Sequence, residues 1–240
     1  MILDKRLIVA LDVPNMAKLS NLVIGLGESV TYYKVGMELF YSCGAEVVRY
    51  LKGNGKSIFL DLKLHDIPNT VGSSLAALTE LGVDMLNVNA TGGFQMMQFA
   101  AQTVKARAAE LGIKAPKLIA VTVLTSISAE EWQELNYAES ISAQVIHLAK
   151  LAKKAGLDGV VASPQEAAAI RAACGEEFLI VTPGIRPAGS EVNDQSRIAT
   201  PKAAIENGAT HLVIGRPITK ATDLKQAVQD IVKEMQEAGK

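Results

Sequence analysis

Three charged residues of one short segment, and a lysine earlier in the chain, have the types and spacing that proton transfer requires. The segment FLDLKLHDIPNT contains Asp61, Lys63 and Asp66, and Lys34 lies in the earlier run TYYKVGM. Because side chains alternate along a strand, Asp61 and Lys63 are expected to share one face. An ammonium held between carboxylates stays charged and fixed, and it can donate a proton. This pattern indicates an acid–base site centred on Lys63.

The same residues also allow structural interpretations. Asp61 and Lys63 could neutralise each other as a buried ion pair, because an unpaired charge is costly to bury. Asp66 precedes an Ile-Pro pair and could cap the following helix, with the proline in its first turn. Lys34 favours the acid–base site, since from a neighbouring strand it could reach Asp61 and complete an alternating series of charges.

A second group of residues is suited to binding an anion. The glycine turns TPGIRP and IGRPIT contain Arg186 and Arg216, and Gly215 directly precedes the second arginine. Glycine lets backbone N–H groups approach an anion, and guanidinium groups bind its oxygens as a fork. A single loop arginine more often forms a surface salt bridge, but two at matching turns favour a phosphate site.

The polar segment 187–200 has no helical or strand period. A loop of this length in a compact domain is often an active-site lid. Gln195 could fold over a ligand from this segment. The alternative is an exposed loop without a role in binding.

Eight short runs rich in Val, Ile and Leu must position these groups. Their nearly continuous apolar character is typical of parallel strands buried on both faces. Stretches with helical period separate them, for example 71–81, 141–152 and 224–235. A repeat of roughly 29 residues fits a βα unit. The alternative is a doubly wound sheet, but the GxGxxG motif typical of that fold does not follow the first run. The sequence predicts a single-domain (β/α)8 TIM barrel over residues 1–240, with strands in the runs that begin at Leu7, Thr31, Ser57, Met85, Lys117, Gly159, Phe178 and His211.

The active site of such a barrel lies at the carboxyl ends of the strands. Polar residues collect at the ends of the predicted strands. The first strand ends in Asp12, the third in Asp61 and Lys63, and the fifth in Thr125 and Ser126. The predicted fold therefore brings the candidate acid–base and anion-binding residues to one face.

Composition excludes several classes of function. There are 24 basic and 25 acidic residues, for a net charge of −1, which argues against a nucleic-acid surface or a polybasic membrane surface. The first apolar run stops at Asp12 and is too short for a signal or membrane segment. Cys43 and Cys174 lack CxxC spacing, and the three histidines lack metal-binding spacing. We expect a cytoplasmic protein that acts on a small molecule, without a disulfide framework or a metal site.

Taken together, the motifs resemble the orotidine 5′-phosphate decarboxylase family, which catalyses the last step of UMP synthesis. They occur in the order that the family shows and span nearly the whole chain. The resemblance implies a homodimeric barrel that decarboxylates orotidine 5′-phosphate without a cofactor or metal. The matching segments are VALDVP, YYKVGMELF, FLDLKLHDIPNT, VTVLTS, TPGIRP and IGRPIT.

The resemblance also implies roles for individual residues. Lys63 matches the proton donor to C6 of the pyrimidine, and Asp61 lies beside the departing carboxylate. Lys34 holds the charged network and the ribose side, whereas Asp66 reaches into the partner's site. The remaining matches are Asp12 and, from the neighbouring subunit, Thr70 at the ribose; Thr125 and Ser126 at the pyrimidine; and Arg186, Gln195, Gly215 and Arg216 at the phosphate clamp and its lid.

One departure and two rival functions accompany this resemblance. Asn89 stands where the family is expected to show histidine, which affects local packing rather than the substrate contacts. A magnesium-dependent sugar-phosphate aldolase or decarboxylase of the same barrel suprafamily also shows a DxKxxD run. The HDIPNT continuation and the pair Thr125 and Ser126 favour the pyrimidine substrate. A noncatalytic nucleotide-phosphate binder would need only the anion clamp.

Overall fold

The computed structural model describes residues 3–187 and 197–238. Its eight strands pair in parallel in sequence order, and the last pairs with the first, so the sheet closes. The predicted (β/α)8 barrel is confirmed, and the doubly wound sheet is excluded by this closure. The strands are β1 Leu7–Ala10, β2 Tyr32–Gly36, β3 Ser57–Leu64, β4 Met85–Asn89, β5 Lys117–Val121, β6 Gly159–Val161, β7 Leu179–Thr182 and β8 His211–Ile214.

Each observed strand lies within or closely overlaps a predicted run, but most end earlier than the runs do. For example, β5 ends at Val121 although the apolar run continues to Leu124. The residues that follow turn inward over the barrel mouth, where they line a cavity. The apolar character beyond the strand end therefore serves the site rather than the sheet.

Helices surround the barrel. The helical periods predicted over 71–81, 141–152 and 224–235 correspond to α4 (Pro68–Thr79), α7 (Ile141–Lys154) and α11 (Leu224–Gln236). Of these, α4 ends earlier than its period suggests because a turn through Gly82 follows. The described helices are α1 Met16–Leu26, α2 Met37–Cys43, α3 Glu46–Gly53, α4 Pro68–Thr79, α5 Gly93–Leu111, α6 Ala129–Glu134, α7 Ile141–Lys154, α8 Ala167–Cys174, α9 Pro201–Glu206, α10 Arg216–Thr219 and α11 Leu224–Gln236.

The apolar core has two layers. The larger layer lies between the sheet and the helices. The smaller fills the barrel interior and forms a floor under the site, because inward-facing side chains of several strands pack there. It consists of Ile8, Ala10, Phe59, Met85, Ile119, Val181 and Val213. Over the described ranges, no helix combines the length and apolar character that crossing a membrane requires.

Candidate active site

A cavity of about 240 Å³ opens at the carboxyl ends of the strands. Phe59 and Val213 belong to both its lining and the barrel floor. Its polar lining comes from different strands and the loops that follow them, so the closed barrel is what assembles it. The polar residues that line it are Lys34, Asp61, Lys63, Thr125 and Ser126.

Lysines and aspartates form a continuous charged network in this cavity. Lys63 Nζ lies 2.8 Å from Asp61 Oδ1, and Lys34 Nζ lies 3.4 Å from Asp61 Oδ2. Lys34 Nζ also lies 3.1 Å from Asp12 Oδ1. The structure thus brings together four of the residues that the sequence analysis selected, and it gives each ammonium a carboxylate neighbour.

Both central members of this network are held in their charged forms. Burial alone would raise the pKa of Asp61, but the ammonium groups of Lys34 and Lys63, with hydrogen bonds from Lys63 and Asn87, lower it below its ordinary value. Burial would likewise lower the pKa of Lys34, but Asp61 and Asp12 raise it above its ordinary value. Asp61 therefore stays ionised to lower pH, and Lys34 stays protonated to higher pH, than either would in water.

Strand β3 does not keep the simple alternation that the sequence analysis assumed. Its pairing with β4 shifts register between Leu60 and Leu64, and Lys63 has a φ of 53°. This left-handed conformation is uncommon for a residue other than glycine. Asp61 and Lys63 still meet, but a local distortion of the strand determines how.

Sequence reasoning missed Asn87, which contacts both of these residues from β4. Its Nδ2 donates to Asp61 Oδ1 at 2.7 Å, and its Oδ1 accepts the backbone N–H of Lys63 at 2.8 Å. A polar residue within the apolar run MLNVN, two positions after the interior Met85, was the available signal. Buried polar groups are nearly always hydrogen-bonded, so this asparagine needed a partner inside the barrel.

Asp66 and Thr70 lie at the rim, apart from the charged network. Asp66 is exposed, and its Oδ1 accepts the N–H of Ile67 at 2.7 Å. The suggested helix cap is wrong, because Ile67 itself occupies the cap position of α4 and no side chain caps that helix. Thr70 is exposed in the first turn of α4. Within the described part of this chain, no ammonium lies within ion-pair distance of Asp66.

A second cavity, of about 200 Å³, adjoins the first and shares Lys34, Pro183 and Val213 with it. Its arginines differ in their surroundings. Arg186 is buried, and its Nη1 donates to the Ile185 carbonyl at 2.9 Å, whereas Arg216 is partly exposed and begins α10. The two arginines thus meet at one cavity, which Asp12, Gly184 and Gly215 also line. Gln195 lies outside the described residues.

A buried ion pair that no motif predicted supports the loop beside the first cavity. Arg197 Nη1 lies 2.8 Å from Glu166 Oε1, and both side chains are buried. Arg197 Nη2 also donates to the carbonyls of Val123 and Leu124, at 3.4 and 3.1 Å. Because these two residues immediately precede Thr125, the pair fixes the loop that carries Thr125 and Ser126.

Thr125 and Ser126 line the first cavity, whereas Asp12 lines the second. Thr125 is buried and Ser126 is exposed. Across residues 3–187 and 197–238, no cluster of three or more His, Cys, Asp or Glu side chains is arranged to hold a metal ion. The chemistry that these two cavities offer is therefore that of two ammonium groups, two carboxylates, hydroxyls and guanidinium groups.

Comparison with known proteins identifies relatives along nearly the whole chain. Residues 5–231 match the model of the orotidine 5′-phosphate decarboxylase / HUMPS family. Orotidine 5′-phosphate decarboxylase of Moorella thermoacetica is 52% identical over 232 residues, which cover 96% of this chain and 92% of that protein. The enzyme of the same name from Streptococcus mutans is 49% identical over 230 residues, with 95% and 96% covered.

A solved structure agrees with these sequence matches. The crystal structure of orotidine 5′-phosphate decarboxylase from Lactobacillus acidophilus superimposes with a TM-score of 0.85 at 45% identity. The match covers 97% of this chain and 99% of that one. Both the sequence matches and the structural match thus include the residues of the charged network and the two cavities. This chain belongs to the orotidine 5′-phosphate decarboxylase / HUMPS family.

Proposed function

We propose that this protein decarboxylates orotidine 5′-phosphate to UMP and that Lys63 protonates C6 of the pyrimidine. The observation that carries the proposal is the charged network of Asp12, Lys34, Asp61 and Lys63, which lies where two adjoining cavities meet. One cavity suits a pyrimidine and the other a phosphate. Relatives about half identical over almost the full length carry the name of this activity.

The chemical step needs a cation beside the reacting carbon. When the bond between C6 and the carboxylate breaks, CO₂ leaves and the electron pair remains on C6. The Lys63 ammonium stabilises that charge and then transfers one Nζ proton to C6, which yields UMP. The neutral amine regains a proton from solvent. Lys63 is suited to this because Asp61 holds its Nζ at 2.8 Å in the cavity.

The other members of the network support that step. Asp61 fixes both ammonium groups and places a negative charge beside the substrate carboxylate, which favours departure of that group as neutral CO₂. Lys34 links this centre to Asp12. Both residues belong to the charged network and also line the second cavity. We assign Asp12 and Lys34 to the ribose, and Thr125 and Ser126 to the pyrimidine.

The phosphate supplies binding energy away from the reacting carbon. We assign Arg186, Gly215 and Arg216 to this group, since they line the second cavity together. Gln195 remains a prediction for the lid. Binding energy from a remote group can serve to orient and desolvate the reacting centre. The phosphate cavity would therefore contribute to the rate as well as to affinity.

We further propose that the protein works as a homodimer in which Asp66 and Thr70 enter the partner's site. Both are exposed at the rim and take no part in the charged network of their own chain. Between them, Ile67 exposes 66% of its surface. An exposed apolar side chain between two such polar residues suits burial against a second copy.

We place the chain in the cytoplasm as a single barrel domain over residues 1–240. The free thiols of Cys43 and Cys174 suit a reducing compartment. The closed barrel and the family match over residues 5–231 suit one domain. A small-molecule nucleotide is the partner that the two cavities fit, and we assign no nucleic-acid or membrane partner.

A spectrophotometric assay of orotidine 5′-phosphate loss tests the proposed activity. We expect conversion to UMP at the same rate with and without EDTA. The magnesium-dependent alternative needs a carboxylate free to hold the ion, and Asp61 already contacts an ammonium through each oxygen. Activity that EDTA abolishes would favour that alternative. Binding of UMP without turnover of orotidine 5′-phosphate would favour the noncatalytic binder.

Replacing Arg216 tests the phosphate assignment. Arg216→Ala is expected to weaken UMP binding by about 30-fold or more, since losing a charge-assisted contact in a desolvated site costs on the order of 2–5 kcal/mol. Uridine, which lacks the phosphate, is expected to bind equally to both proteins. Calorimetric titration measures both affinities, with Arg107→Ala as the control because Arg107 pairs with Glu80 and Glu110 on the helical surface. Equal losses for UMP and uridine would contradict the assignment.

A further inference from the structure

Asn87 occupies an unusual position for an asparagine, deep in the barrel and bonded at both ends of its amide. Only 1% of its surface is exposed. Its Oδ1 faces a backbone N–H, that of Lys63, at 2.8 Å, and a donor there requires an acceptor. The amide orientation is thereby fixed. Its Nδ2 must then face Asp61 Oδ1, at 2.7 Å, and that is the same oxygen that contacts Lys63 Nζ.

The backbone at Lys63 explains why such a contact is needed. The pairing of β3 with β4 is interrupted between Leu60 and Leu64, so Lys63 lies where regular pairing breaks and its N–H bonds to the Asn87 side chain instead. Lys63 also adopts a φ of 53°, which side-chain-bearing residues disfavour. A conformation of this kind persists only when its surroundings hold it. The Asn87 amide is the described side chain that bonds to the Lys63 backbone.

We propose that Asn87 is a positioning residue that aims the Lys63 ammonium at the reacting carbon. Its amide oxygen bonds to the Lys63 backbone and its amide nitrogen bonds to the Asp61 carboxylate. One side chain therefore fixes both the backbone from which the Lys63 side chain extends and the position of its counter-ion. This inference rests on the proposed function, in which Lys63 is the proton donor. Asn87 itself is absent from the lining of both cavities, and it acts through the two residues that it holds.

Two substitutions separate this role from simple packing. Asn87→Leu has a similar volume but removes both hydrogen bonds. Asn87→Asp keeps the shape, and its behaviour depends on its proton. When protonated, the introduced carboxyl can donate to Asp61 and still accept the Lys63 N–H. When ionised, it repels Asp61 and cannot donate to it.

The experiment measures kcat and KM for orotidine 5′-phosphate across pH, together with UMP affinity by calorimetry. We expect Asn87→Leu to lower kcat by about 100-fold or more while KM and the UMP affinity change by less than about fivefold, as for a displaced proton donor. We expect the activity of Asn87→Asp, relative to the unmodified protein at the same pH, to rise as pH falls. The matched control is Asn89→Leu on the same strand, because Asn89 bonds to Thr91 rather than to the network.

The possible outcomes test the positioning role of Asn87 separately from the proposed decarboxylase activity. Turnover by both Asn87 variants within about threefold of the unmodified protein would overturn the positioning role and leave the proposed activity intact. A pH profile of Asn87→Asp parallel to the unmodified one would also overturn it. So would loss of UMP binding together with turnover, because Asn87 would then support the barrel rather than Lys63. An unmodified protein that fails to decarboxylate orotidine 5′-phosphate would instead overturn the proposed function.

Discussion

Replacing Lys63 with alanine is expected to lower kcat for orotidine 5′-phosphate by about 10⁴-fold or more. The variant loses both the charge that stabilises the electron pair on C6 and the proton that quenches it, and each effect contributes on the order of 10²–10⁴-fold. Steady-state kinetics measure the loss. Binding of UMP is expected to persist, since the arginines of the second cavity are untouched.

Lys117→Ala provides a matched control for this variant. Lys117 Nζ lies 2.7 Å from Asp158, so its removal also breaks an ion pair between lysine and aspartate. Lys117 begins β5, however, at the end of the barrel away from the cavities. Its variant is expected to keep full activity. Substantial turnover by Lys63→Ala would refute the assignment of Lys63 as proton donor.

Mixing two inactive variants is expected to restore activity if the sites are shared between subunits. Lys63→Ala removes the proton donor of its own chain, whereas Asp66→Ala removes a group that acts in the partner's site. In a mixed dimer, one site then carries both defects and the other carries neither. Random exchange of equal amounts makes about half the dimers mixed, so roughly a quarter of all sites recover. Activity after verified subunit exchange measures this fraction.

A second mixture controls for the effect of exchange itself. Lys63→Ala mixed with Arg216→Ala should show no such regain, because both residues belong to the same chain's site and every site in the mixed dimer keeps one defect. If Lys63→Ala and Asp66→Ala also fail to restore activity after exchange, each site is built from one chain. Asp66 then has no catalytic role of the kind proposed.

The barrel was predictable from the sequence because its signal repeats eight times. Apolar strands buried on both faces, separated by helical periods, fit few architectures other than the one observed. The meeting of Lys34, Asp61 and Lys63 was predictable for a related reason. A closed parallel sheet brings the carboxyl ends of its strands to one rim, and β2 and β3 are neighbours there.

The local distortions and single contacts were not predictable. Nothing in FLDLKL indicates that the pairing of β3 shifts or that the backbone of Lys63 is left-handed. The Lys63 N–H bonds to Asn87 of a different strand, and the segment itself carries no sign of that contact. The helix cap considered for Asp66 was wrong because Ile67 occupies the cap position of α4, and the Asp66 carboxylate accepts the N–H of Ile67 instead. The shifted pairing and the bond to Asn87 depend on contacts between residues far apart in the chain, and the periodicity of the sequence carries no information about such contacts.

The ion pair of Arg197 with Glu166 constrains how this sequence can change over time. Replacing either residue alone leaves a buried charge without its counter-ion, which commonly costs about 3–5 kcal/mol, a large share of a domain's total stability. Replacing both by apolar residues of similar volume removes that penalty, but it also removes the donor that holds the carbonyls of Val123 and Leu124. We therefore expect substitutions at the two positions to be coupled. We also expect both residues to be retained together, because Arg197 holds the loop that carries Thr125 in place.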